Sequence, residues 1–190
     1  MKKLTKNFIN TSISVGVGGV FLILILLGKQ QGQTANISKV PPISEGWTVV
    51  KVSDGDTITV RQTSNQQMKI RFCGIDAPEN QQPLGNNATV YLQKLIQEAG
   101  NQVMVSPIEQ DRYGRTVAEV FTLNSDGGEK FLNEEMVKAG FAYHYAKYSG
   151  SCPNKIAIEN GEAIARQQKV GVWSGNYQKP WDYRRQRRQR

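Results

Sequence analysis

Three short segments between residues 47 and 74 alternate apolar and polar side chains, and this alternation constrains the fold more than any other feature of the sequence. The segments cover residues 47–52, 56–62 and 67–74, and turn-forming residues separate them. Alternation with a period of two predicts β-strands that have one buried face. Three such strands in succession predict a meander whose exposed edges must curl or be covered.

The rest of the body combines helical patterns with further strands. Apolar residues recur at helical spacing, and Gly100 is a suitable stop after the first helix. The predicted helices cover residues 86–99, 130–139 and 154–169, and the further strands cover 102–107 and 115–122. Five strands with interspersed helices fit an α+β fold, a five-stranded OB-type Greek-key β-barrel with three helices. This pattern alone also fits other α+β arrangements.

An N-terminal apolar segment precedes the body, because residues 8–28 contain no charged side chain. At about 1.5 Å per residue, a helix of this length crosses a hydrocarbon core of roughly 30 Å. A cleaved signal peptide and an uncleaved anchor both fit, and both place the body outside the cytoplasm because the preceding lysines stay inside. We favour the anchor, since the apolar run is long for a signal core and residues 28–34 offer no Ala-x-Ala cleavage site.

The sequence therefore divides into four parts. These are a signal-anchor or signal peptide (1–28), a flexible linker (29–46), the folded body (47–174) and a basic tail predicted to be disordered (175–190). The net charge of +8 comes from the two ends, from three lysines in the first six residues and five arginines in the last seven. Because residues 7–183 are formally neutral, a nucleic-acid site in the body must depend on local clusters of charge.

Several classes of site are excluded by residue counts. The chain has a single histidine, His144, and two cysteines, Cys73 and Cys152. A two-histidine phosphodiesterase mechanism within one chain is therefore impossible, and a four-ligand zinc site would need carboxylates. The sequence also lacks the P-loop motif and the G-x-S-x-G motif of α/β-hydrolases.

Acidic residues gather at the ends of the predicted strands. Asp54 and Asp56 flank a glycine, and Asp76 and Glu79 follow the strand that carries Arg71. Carboxylates that meet at one barrel edge repel each other unless a cation lies between them, and oxygen ligands without His or Cys favour Ca²⁺ or Mg²⁺. Taken alone, each turn is more typical of a solvated structural turn than of a metal site.

Five segments together resemble the staphylococcal nuclease (thermonuclease) family. They are residues 52–58 (VSDGDTI), 70–79 (IRFCGIDAPE), 111–115 (DRYGR), 132–140 (LNEEMVKAG) and 165–173 (ARQQKVGVW). The resemblance extends over about residues 47–174. It implies an OB barrel with three helices that cleaves phosphodiester bonds in DNA and RNA with Ca²⁺.

The resemblance also implies roles for individual residues. Asp56, Asp76 and the backbone carbonyl of Ala77 would hold the calcium ion. Glu79 is the implied general base, and Arg71 and Arg115 are the implied phosphate-binding arginines. The implied substrate contacts are Arg112, Tyr113, Tyr145 and Tyr148. Planar guanidinium groups suit phosphate oxygens, and tyrosine rings stack on bases.

We therefore expect a membrane-anchored or secreted, Ca²⁺-dependent endonuclease, a monomer that acts on DNA, RNA or both with little sequence specificity. The alternatives are a non-catalytic OB module that binds nucleic acid or protein at the membrane, and a membrane-surface protein that uses the apolar segment and the arginine tail. The presence of every implied acid and arginine favours the enzyme. The sequence leaves open the preferred substrate, the processing of the N-terminus and a disulfide between Cys73 and Cys152.

Overall fold

The computed structural model describes residues 46–124 and 127–189. The predicted signal or anchor segment and nearly all of the predicted linker lie outside these residues. The strands of the described part are β1 (Trp47–Asp54), β2 (Thr57–Arg61), β3 (Gln67–Phe72), β4 (Ile75–Asp76), β5 (Gln102–Gln110), β6 (Thr116–Leu123), β7 (Glu129–Phe131) and β8 (Tyr143–His144). Its helices are α1 (Gly85–Glu98), α2 (Leu132–Lys138), α3 (Lys155–Gln168) and α4 (Pro180–Arg187). None of these helices is long and apolar enough to cross a bilayer.

Five of the described strands close into a barrel. The first three form an antiparallel meander, and β3 then pairs in parallel with β6, with Ile70 opposite Thr116. β6 pairs with β5, and β5 returns to β1, with Val103 opposite Trp47. The closed order β1-β2-β3-β6-β5 confirms the predicted five-stranded OB-type barrel, whereas the fourth helix was not predicted.

The barrel core contains the apolar face that the alternation predicted. Ile58 and Val60 of β2 and Ile70 and Phe72 of β3 are fully or almost fully buried. Helices α1 and α2 contribute further side chains to the same cluster, among them Leu92. Each Å² of apolar surface removed from water contributes about 25 cal/mol to folding, so this cluster is the main source of stability.

The loop between β8 and α3 is fixed to the barrel at two points. Cys73, just after β3, forms a disulfide with Cys152, and their Cα atoms lie 5.9 Å apart. The buried carboxylate of Glu119 on β6 accepts hydrogen bonds from the backbone N–H of Asn154 at 2.6 Å and from its side-chain amide at 2.7 Å. In addition, β4 pairs with β8, which places Asp76 opposite Tyr143. The loop that carries the predicted tyrosines therefore lies beside the predicted acids.

The basic tail is not disordered as predicted, because residues 180–187 form α4. Pro180 occupies the first turn, where its missing N–H costs nothing, and it is buried. The ring of Trp181 stacks on Tyr145, with centroids 4.9 Å apart and planes 8° from parallel. The side-chain amide of Gln82 also donates to the carbonyl of Gln178 at 2.8 Å. Tertiary contacts thus order a segment whose composition alone predicts disorder.

Candidate active site

A tight turn brings the first pair of acids against the strand that carries the next one. Gly55 lies between Asp54 and Asp56, and a Cβ at this glycine would lie 2.8 Å from the Cβ of Ala77 and 2.7 Å from that of Ala88. The absence of a side chain lets the turn pack closely, so that the N–H of Ala77 donates to Asp56 Oδ2 at 2.7 Å.

Arg71 joins the two predicted metal carboxylates. Its Nη1 lies 3.0 Å from Asp56 Oδ1, and its Nη2 lies 2.8 Å from Asp76 Oδ1. The Arg71 side chain is only 14% exposed, and that of Asp76 is fully buried. Asp56 and Asp76 are therefore close enough to share one cation, and β3 places a phosphate-binding group directly beside them.

Glu79 is positioned by the loop that leads into α1. Its backbone N–H donates to Gln82 Oε1 at 2.9 Å. A Cβ at Gly85, the first residue of α1, would overlap the carbonyl oxygen of Glu79, so only glycine permits this approach. The Glu79 side chain is 33% exposed, whereas that of Asp76 is fully buried, so Glu79 lies at the solvent-facing side, or mouth, of the acidic cluster.

Arg184 of α4 is a second guanidinium on this cluster, and it was not among the site residues predicted from the sequence. Its Nη2 lies 2.7 Å from Asp76 Oδ2, while its Nη1 lies 3.0 Å from Asp76 Oδ1 and 2.7 Å from Glu79 Oε1. A signal was present, because Trp181 and Arg184 are three residues apart and share one face of a helix that begins with a proline.

Burial and mutual repulsion raise the proton affinity of the cluster. Burial, followed by the charge of Asp56, raises the pKa of Asp54 to about 7. Burial also raises the pKa of Asp76 to about 6, although hydrogen bonds from Arg184 oppose this shift. The carboxylates of Asp54, Asp56, Asp76 and Glu79 face the guanidinium groups of Arg71 and Arg184. Negative charge therefore exceeds positive charge when all of these groups are ionised.

The donor set fits a calcium ion. The carboxylate oxygens of Asp56 and Asp76 are hard ligands that already converge on one cation, the guanidinium of Arg71. Asp76 and Glu79 converge in the same way on Arg184. Within residues 46–124 and 127–189, no three His, Cys, Asp or Glu side chains form a ready-made metal centre. A calcium ion here would therefore need backbone, water or substrate oxygens as additional ligands.

Arg115 lies outside this cluster, in the loop between β5 and β6. Its Nε and Nη2 each lie 2.7 Å from Asp111 Oδ2. The register between β3 and β6 puts Arg71 opposite Val117, so Arg115 precedes that partner by two residues and starts on the same face of the sheet. In the structure, however, Arg115 pairs with Asp111 and is not brought together with the acidic cluster.

The predicted substrate contacts lie in two loops. Arg112 Nη2 donates to the hydroxyl of Tyr113 at 2.8 Å, and the Tyr113 ring is 67% exposed. Tyr145 meets Tyr148 edge to face at 4.8 Å, and Tyr148 is 58% exposed. The backbone N–H of Tyr145 donates to the carbonyl of Gly74 at 2.8 Å, so Tyr145 lies beside the segment that carries Asp76. Burial and the charge of Asp76 raise the pKa of Tyr145. The structure thus offers two exposed aromatic rings and a third that α4 covers.

Comparison with known proteins agrees with this geometry. Residues 69–175, more than half of the chain, match the model of the family described as "Staphylococcal nuclease homologue". The chain belongs to this family. The matched region contains Arg71, Asp76, Glu79 and Arg115. Asp56, which precedes the matched region, reaches the same cluster through the turn at Gly55.

Relatives in the staphylococcal nuclease family include bacterial and plant proteins. The chain is 39% identical over 142 residues to a "Micrococcal nuclease" of Shigella flexneri, covering 72% of this chain and 79% of that protein. It is 39% identical over 137 residues to an "Uncharacterized endonuclease" of Escherichia coli, covering 72% of this chain and 82% of the relative. It is 31% identical over 147 residues to the "Staphylococcal-like nuclease CAN1" of Arabidopsis thaliana, covering 77% of this chain. The chain spans only 40% of the length of that plant relative, and 39% of the 38.1 kDa relative from Capnoides sempervirens.

Proposed function

We propose that this protein is a Ca²⁺-dependent phosphodiesterase, an endonuclease that hydrolyses DNA, RNA or both with little sequence specificity. The observation that carries the proposal is the arrangement of Asp56 and Asp76 on the two arms of Arg71, with Glu79 beside them. Membership of a nuclease family and relatives that bear nuclease names support the same activity.

Asp56, Asp76 and the carbonyl of Ala77 would hold the calcium ion, which would supply Lewis-acid polarisation of the phosphate. Arg71 donates hydrogen bonds to phosphate oxygens and stabilises the negative charge that grows in the transition state. Arg115, in the loop before β6, does the same once its pairing with Asp111 opens. Lysine cannot replace either residue, because one ammonium group does not provide two planar donors.

Glu79 accepts the proton of the attacking water or orients that water. It is suited to this role because its carboxylate lies at the mouth of the cluster and is more exposed than Asp76. The backbone hydrogen bond to Gln82 and the close packing on Gly85 hold it in place. Its pairing with Arg184 must open first, because Nη1 of Arg184 occupies the Oε1 atom that would contact the attacking water.

Base stacking on Tyr113, Tyr145 and Tyr148 and a phosphate contact from Arg112 bind the substrate. Stacking is worth about 1–3 kcal/mol per base and tolerates any sequence, which supports low specificity. Exposed bases are required for stacking, so the protein prefers single strands or frayed ends to intact duplex.

The same proposal places the nuclease domain outside the cytoplasm, anchored through residues 8–28 or secreted after their removal. The disulfide between Cys73 and Cys152 supports this location, because disulfides persist in oxidising compartments. We also propose that the protein is a monomer, in keeping with a site to which one chain contributes every proposed residue.

The test is cleavage of fluorescent single-stranded DNA and RNA by the oxidised protein, with Ca²⁺ or with a calcium chelator. We expect cleavage only with Ca²⁺, a loss of about 10²–10⁴-fold in Glu79→Gln and of about 10²–10³-fold in Arg71→Lys. Glu109→Gln, an exposed strand carboxylate, is the matched control and keeps full activity. Undiminished cleavage by both site variants would refute the assignment. Binding of nucleic acid without cleavage would instead favour the non-catalytic OB module.

A further inference from the structure

Helix α4 covers the proposed active site at the acidic cluster and at Tyr145. Arg184 engages Asp76, a proposed calcium ligand, and Glu79, the proposed base. Trp181 occupies the face of Tyr145 on which a nucleotide base would stack. We propose that α4 is an autoinhibitory latch, which calcium and nucleic acid displace when the site becomes active. This inference rests on the proposed function, because it assigns the regulation of that same site.

Arg184 and a calcium ion compete for the same carboxylate oxygen atoms. Arg184 uses both arms on Asp76, with Nη1 and Nη2 at 3.0 and 2.7 Å from its two carboxylate oxygens. A calcium ion needs these oxygens. It carries two positive charges, whereas Arg184 carries one, and the cluster has excess negative charge. Arg184 and calcium are thus alternative occupants, and each weakens the binding of the other.

The stacking of Trp181 on Tyr145 is a second contact between α4 and the site, and it does not depend on charge. Trp181 and Tyr145 lie nearly parallel, with their centroids 4.9 Å apart and an angle of 8° between their planes. This is the offset-stacked arrangement that a base would adopt on the tyrosine. An indole in this position excludes a base, so the closed latch blocks substrate as well as metal.

Helix α4 depends on these contacts for its order. It has eight residues, too few for a stable helix in isolation. Its attachments to the loop before α1 are polar, from Gln82 to the carbonyl of Gln178 at 2.8 Å and from Arg187 to Gln81 at 3.2 Å. Water can replace such bonds at modest cost, so loss of the Arg184 and Trp181 contacts leaves the buried Pro180 as the main remaining anchor and favours release of the segment.

Nucleic acid favours the released state through charge. The segment carries four arginines between residues 184 and 188. Once released, they are free to bind the phosphate backbone with release of counterions. Calcium and substrate therefore cooperate, because each removes an obstacle to the other. If the latch is closed in nine tenths of the molecules, the apparent calcium affinity is reduced about tenfold.

The test is calcium binding by the full-length, oxidised chain without nucleic acid, measured by isothermal titration calorimetry. Arg184→Ala should bind calcium about tenfold more tightly than the parent chain. Arg185→Ala is the matched control, because Arg185 lies on the same helix but pairs with Asp182 rather than with the cluster. It should bind calcium with the parent affinity. Hydrogen exchange of residues 180–187 provides a second readout, with protection that falls when calcium is added.

The outcomes separate the latch from the enzyme. Calcium binding that is equally tight in Arg184→Ala and the parent chain, or α4 protection that calcium leaves unchanged, overturns the latch while the nuclease activity stands. A chain that ends at residue 178 should reproduce the Arg184→Ala result, which excludes an effect of one misfolded variant. If no variant binds calcium or cleaves nucleic acid, the proposed function fails, and the latch fails with it.

Discussion

Replacement of Arg71 by lysine is a sensitive test of the acidic cluster, because the two arms of this arginine reach different carboxylates. Nη1 lies 3.0 Å from Asp56 and Nη2 lies 2.8 Å from Asp76. A single ammonium group can retain one of these partners but not both. The variant therefore loses about one charge-assisted hydrogen bond in a nearly buried environment, worth about 1.5–3 kcal/mol of unfolding free energy. For a chain of this size the melting temperature falls by roughly 3–12 °C.

The assay is thermal unfolding followed by circular dichroism, in the presence of a calcium chelator. Arg61→Lys is the control, because Arg61 lies exposed at the end of β2 and the same change there should shift the melting temperature little. Equal melting temperatures for the two variants would show that Arg71 does not bridge the acids, and the site as described would be incorrect.

Three further predictions concern the framework of the site. Replacement of both Cys73 and Cys152 by serine should lower the unfolding free energy by about 4 kcal/mol, because the disulfide closes a long loop; equal urea midpoints with and without reductant in the parent chain would contradict this. Gly55→Ala should lower the unfolding free energy by about 1–3 kcal/mol, because the added Cβ would overlap Ala77 and Ala88. Gly150→Ala is the control, since nothing lies within 4 Å of its added Cβ, and it should leave the unfolding free energy nearly unchanged in the same urea titration. Burial lowers the pKa of His144 despite the opposing charge of Glu162, so the unfolded chain takes up this proton first, and the contribution of His144 to stability falls as the pH drops below about 6.5, whereas the raised pKa values of Asp54 and Asp76 contribute with the opposite sign. The single imidazole resonance in an NMR titration measures this directly, and a pKa at or above 6.5 would contradict it.

The barrel could be predicted because its burial follows the local pattern of the sequence. Ile58 and Val60 alternate with polar residues and lie in the core, as expected for strands with one buried face. Thr57 is an exception, since it lies on the polar face of the alternating pattern but is only 2% exposed. Its hydroxyl donates to Asp56 Oδ1 at 3.0 Å and so helps to hold this carboxylate in place.

Other elements had no local signal to predict them. β4 and β8 are two residues each, too short for any periodicity, and only their pairing defines them. The helix α4 is rich in arginine and follows a segment without a pattern, and its order depends on Tyr145, which lies more than thirty residues earlier in the sequence. The meeting of Asp56 and Asp76 was indicated by their positions at the ends of predicted strands, and the role of Arg71 beside them came from the family resemblance.

The most direct test of the central claim is a crystal structure of the protein with calcium, with the ion identified by its anomalous scattering. The account predicts one calcium ion at roughly 2.3–2.6 Å from carboxylate oxygens of both Asp56 and Asp76, with Arg71 beside it. A calcium ion bound elsewhere, or saturating calcium that leaves these two carboxylates paired only with arginine, would contradict it.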